Sequence, residues 1–371
     1  MEIKVDREGL FRTVSRVQSI IEKRSNMPIL SNVLLTATGS DLYVSATDLE
    51  LGFQQILTAQ VLEEGSVTIS GRKLFEILKE SKAEQFHIKE KENNWVLITD
   101  KVARFNLACL PSDEYPALVQ PEGVGMVEVQ ADLINEMISK TIYSVTLEEA
   151  GFKLSGVFTE RVAHEGNTFL RMTATDGHRL SMIDKAVPNV ESLDLGSGVM
   201  IPKKGMSELN KIASEGGSLE LGFKQKNCVA RKEGALLVMR LLEAKFPDYQ
   251  AVIPKEEKYS LEVNRVALME AMRKMQILSN ERYRAVKITL DDDAMELVST
   301  NPDLGEAQES IEVKFRGERI EAGFNPRYFI DTLQSMESET VILGFVDNSK
   351  PCIIRGEADK GFLGLIMPMR L

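Results

Sequence analysis

Asp176 and His178 stand two residues apart just behind Thr175, a spacing at which a carboxylate and an imidazole can share a proton or ligate one metal ion. Either chemistry needs a third group. The 371 residues include three histidines, and His87 and His164 lie in unrelated contexts. There is no Ser-His-Asp order, no His-Glu-x-x-His and no phosphate-binding loop. A structural role fits equally well, because an Asp side chain organises a turn by bonding nearby backbone. Cys109, Cys228 and Cys352 show no Cys-x-x-Cys spacing and read as small apolar residues of a reducing cytosol. No cofactor and no metal are expected.

The basic residues form a second constellation. Arg12 and Arg16 are four apart on the polar face of one helix, with Lys23 and Arg24 just beyond it, and Arg72 and Lys73 sit at a strand-to-helix turn. Lys203 and Lys204 open another helix, where the macrodipole disfavours cations, and a passing phosphate accounts for them most simply. Six expected helical segments (7–24, 72–82, 131–147, 203–213, 264–284 and 325–336) hold 19 Lys and Arg against 10 Asp and Glu. That net +9 leaves −20 for the remainder of a chain whose total is −11. Basic helices within an acidic remainder tolerate a phosphate backbone on one side and repel it elsewhere, without reading base sequence. Ordinary solvated helix faces would give the same count.

These residues sit on landmarks that recur three times, roughly 125 residues apart. A short strand first runs into an amphipathic helix whose apolar positions follow i, i+4, i+7: Leu10, Val14 and Val17; Ile134, Ile138 and Thr141; Leu268, Met272 and Met275. A strand then turns after a threonine, at Ala46-Thr47-Asp48, Ala174-Thr175-Asp176 and Ser299-Thr300-Asn301. Next comes a strand-turn-helix with basic residues at the turn. A proline-aromatic corner closes the first two units, at Tyr115-Pro116 and Phe246-Pro247-Asp248-Tyr249, and the third ends as Met367-Pro368-Met369-Arg370-Leu371.

Three domains of about 120 residues are expected, at 1–121, 126–253 and 258–371, and 43% apolar residues suffice for three cores. Two helices and several alternating strands per unit indicate an α+β fold with antiparallel sheets rather than a doubly wound parallel sheet. The start lacks a signal-peptide layout and no apolar run reaches membrane-spanning length, so a cytoplasmic protein without membrane contact is expected.

Across its whole length the chain resembles the bacterial sliding clamps, the beta subunits of DNA polymerase III. The stretches that carry the resemblance are Asn26-Met27-Pro28-Ile29-Leu30-Ser31-Asn32, Ala174-Thr175-Asp176-Gly177-His178-Arg179-Leu180, Phe246-Pro247-Asp248-Tyr249, Ile277-Leu278-Ser279-Asn280-Glu281, Gly323-Phe324-Asn325 and the terminal Met367-Pro368-Met369-Arg370-Leu371. The resemblance implies three similar DNA-clamp domains per chain and six per homodimeric ring, with helices lining the hole and antiparallel sheets outside. It implies a processivity factor without catalysis of its own. Such a ring encircles duplex DNA without sequence preference and tethers the replicative polymerase catalytic subunit, the clamp loader, and translesion polymerases and repair proteins that carry clamp-binding motifs.

Carried over by position, the resemblance gives a partner-peptide pocket of Leu154, Thr175, Gly177, His178, Arg179, Leu180, Pro247, Val252, Asn325, Tyr328, Leu365, Met367, Pro368, Met369, Arg370 and Leu371. The terminal methionines suit adaptable recognition, and a buried core strand would explain them as well. Gln250 and Ala251 stand where family members often carry an arginine, which bears on peptide preference. Arg24, Phe152 and Lys153 match DNA-contact places and join Arg12, Arg16, Arg72, Lys73, Lys203 and Lys204. The resemblance sets Phe105 against Ile277 and Leu278 of a second copy, although these also suit the cores of their own domains. A clamp-fold peptide scaffold that never encircles DNA, and a nucleic-acid enzyme centred on Asp176 and His178, are the alternatives.

Overall fold

The computed structural model describes all residues except 22–25, 119–121, 147–154, 165, 280–284 and 371. The described residues contain six α-helices: α1 (Arg7–Val17), α2 (Gly71–Glu80), α3 (Ala131–Ser139), α4 (Lys203–Ala213), α5 (Arg265–Ile277) and α6 (Pro326–Gln334). Five of them follow directly on a strand and α6 follows after Asn325 alone, so the switch from extended to helical backbone is abrupt. Four of these switches are capped: Asp6 accepts from Gly9, Ser70 from Lys73, Asn264 from Ala267 and Asn325 from Arg327. The nine apolar-face positions named above for the first helix of each repeat are all buried. α1 packs on α2, α3 on α4, and α5 on α6, one pair per repeat.

The sheets join the repeats. In the first repeat, Leu51–Glu63 pairs along its first half with Ala235–Arg240 of the second, Leu51 opposite Met239 and Phe53 opposite Leu237. Arg179–Lys185 of the second repeat pairs in the same way with Phe362–Ile366 of the third, Arg179 opposite Ile366 and Leu180 opposite Leu365. In both places the strand after the threonine turn of one repeat receives the last strand of the next.

Contacts therefore group the chain into two compact units rather than along the three repeats: 1–128 with 218–241, and 129–217 with 242–371. In the first unit a twelve-stranded sheet has Arg104–Ala108 as a free edge. In the second, an eight-stranded sheet runs from Val199–Pro202 to Tyr259–Asn264. A separate four-stranded sheet there has Gly305–Glu312 as one edge. Arg104–Ala108 is the last strand of its repeat and Gly305–Glu312 follows a threonine turn, so they are the repeat counterparts of the strands that pair at the two internal joints.

No helix among the described residues is long and apolar enough to cross a membrane.

Candidate partner-peptide site

The turn after Thr175 is built by its own side chains. Thr175 Oγ1 donates to the Arg179 carbonyl at 2.6 Å and accepts from the Gly177 N–H at 3.1 Å. Asp176 Oδ1 accepts from the N–H groups of His178 and Arg179, both at 3.0 Å. Asp176 is thus the turn organiser. Gly177 has φ of +85° and open space where a Cβ would stand, a conformation that favours glycine and leaves its backbone approachable.

Arg179 locks this turn to α6. Its buried guanidinium bonds Asp176 at 3.1 Å, Asp331 at 2.7 Å and the Tyr143 carbonyl at 2.6 Å. It also lies 4.7 Å from the Tyr328 ring centre and 5.3 Å from that of Tyr143. With its donors committed inward, Arg179 is a positioning residue and offers a partner little more than the shape it maintains.

The tail completes the wall. The Met367 N–H donates to the His178 carbonyl at 2.9 Å and the Met369 N–H to the Gly323 carbonyl at 2.7 Å. Beneath it, Leu180, Met182, Met200, Phe246, Tyr249 and Leu365 form a buried cluster, with Met367 and Ile253 packed against it. Phe246 stacks on Phe158 at 4.8 Å. Exposed His178 lies over Tyr328, ring centres 6.4 Å apart, and Asn325 caps α6 beside them. Pro247 and Arg370 are exposed, Pro368 is half-buried, and Val252 is 44% exposed. The arrangement is an apolar floor with a flexible methionine side, an aromatic wall and an open backbone at Gly177. It suits apolar side chains of a short extended peptide. Leu154 and Leu371 lie outside the described residues.

The basic residues are more varied than their sequence positions imply. Arg12 is exposed, whereas Arg16 is half-buried, its guanidinium pushed below its usual value by burial and then by Arg12. Exposed Arg72 and Lys73 both bridge Glu76, at 2.9 and 2.8 Å. Lys203 is half-buried, its Nζ donating to the Val145 carbonyl at 3.3 Å. Burial, then Arg179 and Arg327, hold its ammonium below the ordinary lysine value. Lys204 is exposed. Lys140, counted with the basic segments, is buried between Asp359 at 2.7 Å and Glu136 at 2.8 Å and faces no solvent. Lys23, Arg24, Phe152 and Lys153 lie outside the described residues.

Of the residues assigned to a chain-to-chain contact, Phe105 and Leu278 are half-buried and Ile277 is 75% exposed. Among the described residues no three His, Cys, Asp or Glu side chains are grouped to hold a metal. Sequence reasoning did not find Tyr143 and Asp331, the partners of Arg179, nor the pair of Lys140 with Asp359. Only the spacing of Asp331 from Arg327 on α6 gave a local sign.

Three family models cover the chain in order: the DNA polymerase III beta subunit N-terminal domain matches 1–119, the central domain 128–248 and the C-terminal domain 250–370. The beta sliding clamp of Haemophilus influenzae is 30% identical over 375 residues, and that of Caulobacter vibrioides 29% over 374, each covering 100% of both chains. Among solved structures, the sliding clamp of Bartonella birtlesii bound to griselimycin has a TM-score of 0.94 at 30% identity. Caulobacter crescentus pol III beta has 0.93 at 29%. Both cover 100% of both chains. Three clamp domains of α+β build and a full-length match at this identity agree: the chain belongs to the DNA polymerase III beta subunit family, the sliding clamps, which are the non-catalytic processivity subunits of replication.

Proposed function

We propose that two copies of this chain close head to tail around duplex DNA and tether the replicative polymerase, its loader and repair proteins through the Thr175–Arg179 pocket. The observation that carries this reading is the pair of unmatched strand edges. At each internal joint, the strand after a threonine turn receives the last strand of the next repeat. Gly305–Glu312 and Arg104–Ala108 are the same two kinds of strand, each paired on one side and open on the other among the described residues. A second copy supplies the missing match on both sides, by the antiparallel pairing that the internal joints use. Ile277, 75% exposed at the end of α5, supports that contact because a large aliphatic side chain gains by being covered.

On this reading the exposed Arg12, Arg72, Lys73 and Lys204 meet phosphates, together with Arg24, Phe152 and Lys153, and the grip stays weak enough for sliding. Tethering raises the effective concentration of the polymerase at the primer without any new chemistry. The domains would span 1–121, 126–253 and 258–371.

Retention on nicked circular DNA tests the proposal, with a loader and ATP supplied and salt high enough to screen phosphate contacts. A topological clamp stays on the circle and leaves when the circle is cut. Loss from the intact circle, or persistence after cutting, would leave a peptide scaffold or ordinary DNA contact in its place.

A further inference from the structure

The threefold repeat places a second threonine turn at the first internal joint, and its hydrogen bonds copy those of the peptide pocket. Thr47 Oγ1 donates to the Leu51 carbonyl at 2.9 Å and accepts from the Leu49 N–H at 3.0 Å. Asp48 Oδ1 accepts from Glu50 and Leu51 at 3.0 and 2.7 Å. The Arg240 N–H donates to the Glu50 carbonyl at 2.9 Å, as Met367 does to His178. A groove of about 620 Å³ opens over this joint, within the first compact unit.

One position departs from the copy. Leu49 takes the place of Gly177 and keeps the left-handed backbone, φ +78°, with its side chain 54% exposed. A leucine held in a conformation that L residues rarely adopt, with its apolar surface in water, is the kind of local strain that accompanies a binding function. Leu118, also in the lining, packs against Gly52, where a Cβ would come within 2.2 Å of it. The lining carries two cations, Lys226 and Arg240, against one acid, Glu50, which lies 3.7 Å from Arg240.

We propose that this groove is a second peptide site, for short extended segments that combine apolar anchors with acidic residues; the inference extends the reading of the Thr175–Arg179 pocket. Leu49 and Leu118 receive the anchors, and the two cations receive the carboxylates. Because Leu49 replaces Gly177, the peptide backbone cannot approach as closely here, so the two grooves differ in sequence preference.

The test is calorimetric stoichiometry with the full chain and the peptide acetyl-Glu-Leu-Glu-Phe-Leu-amide. Leu49→Gly removes the apolar wall while relieving the backbone, and exposed Arg240→Glu reverses the rim charge, so neither threatens folding. His178→Glu disables the other pocket. The expected result is two peptides per chain, one of them weakened tenfold or more by Leu49→Gly or Arg240→Glu and the other by His178→Glu. A single site lost with His178→Glu and indifferent to Leu49→Gly overturns this proposal and leaves the first pocket standing. A single site with the opposite response sustains it and removes the first pocket. No saturable binding to the wild-type chain overturns both.

Discussion

Arg179 ties three segments together through one guanidinium, and that geometry decides what a conservative change does. Lysine keeps the charge but cannot reach Asp176, Asp331 and the Tyr143 carbonyl at once. Arg179→Lys is expected to cost about 1.5–3 kcal/mol in urea unfolding, the range for hydrogen bonds to charged groups. Peptide affinity at the pocket should fall with it, read by fluorescence anisotropy. Lys140 and Asp359 make a second buried tie. Burial alone would raise the Asp359 carboxyl, but Lys140, Ser338 and two backbone N–H groups hold it below its usual value. A lowered carboxylate contributes stability that is present above its unfolded value, about 3.9, and is lost as pH falls through the folded one. Asp359→Asn should therefore destabilise by about 3 kcal/mol at pH 7, with the difference from wild type shrinking as pH drops below about 4. The role of Asp176 was legible in the sequence because it acts on its own backbone. The role of Arg179 was not, since Asp331 is 152 positions away.

Helix faces were the most legible elements, because burial of a 3.6-residue stripe leaves its period in the sequence. Helix ends were not. The expected segments ran to 24, 147 and 284, whereas α1, α3 and α5 end at Val17, Ser139 and Ile277. Polar side chains take the last-turn carbonyls there: Gln18 bonds Val14, Thr141 bonds Met137 and Ser279 bonds Gln276. Lys203 and Lys204 do sit in the first turn of α4, which has no side-chain cap. Lys204→Glu should raise thermal stability by the equivalent of about 0.3–1 kcal/mol through the macrodipole. The same change should weaken DNA binding and flatten its dependence on salt by about one phosphate contact. Unaltered DNA binding in that variant would remove Lys204 from the DNA-facing set.

For the whole molecule, the threefold plan was readable from recurring landmarks. The grouping into two compact units was not, because it arises from strand pairs such as Leu51 with Met239 that no local pattern announces. The same pairing logic makes the chain-to-chain contact testable. Ile277→Asp leaves the single chain intact, since Ile277 is 75% exposed there, but would bury an unpaired charge in a dimer. The expected outcome is a halved native mass at micromolar concentration with unchanged circular dichroism. An unchanged dimeric mass would take Ile277 out of the contact. The two unmatched edges also carry a hazard. Because they differ, copies that pair as proposed can accept one another at either end, and growth stops only when the last open edge meets the first. A change that stiffens or straightens an internal joint, without touching either edge, would turn a closed assembly into open-ended fibres, so the joints control solubility as much as the edges do.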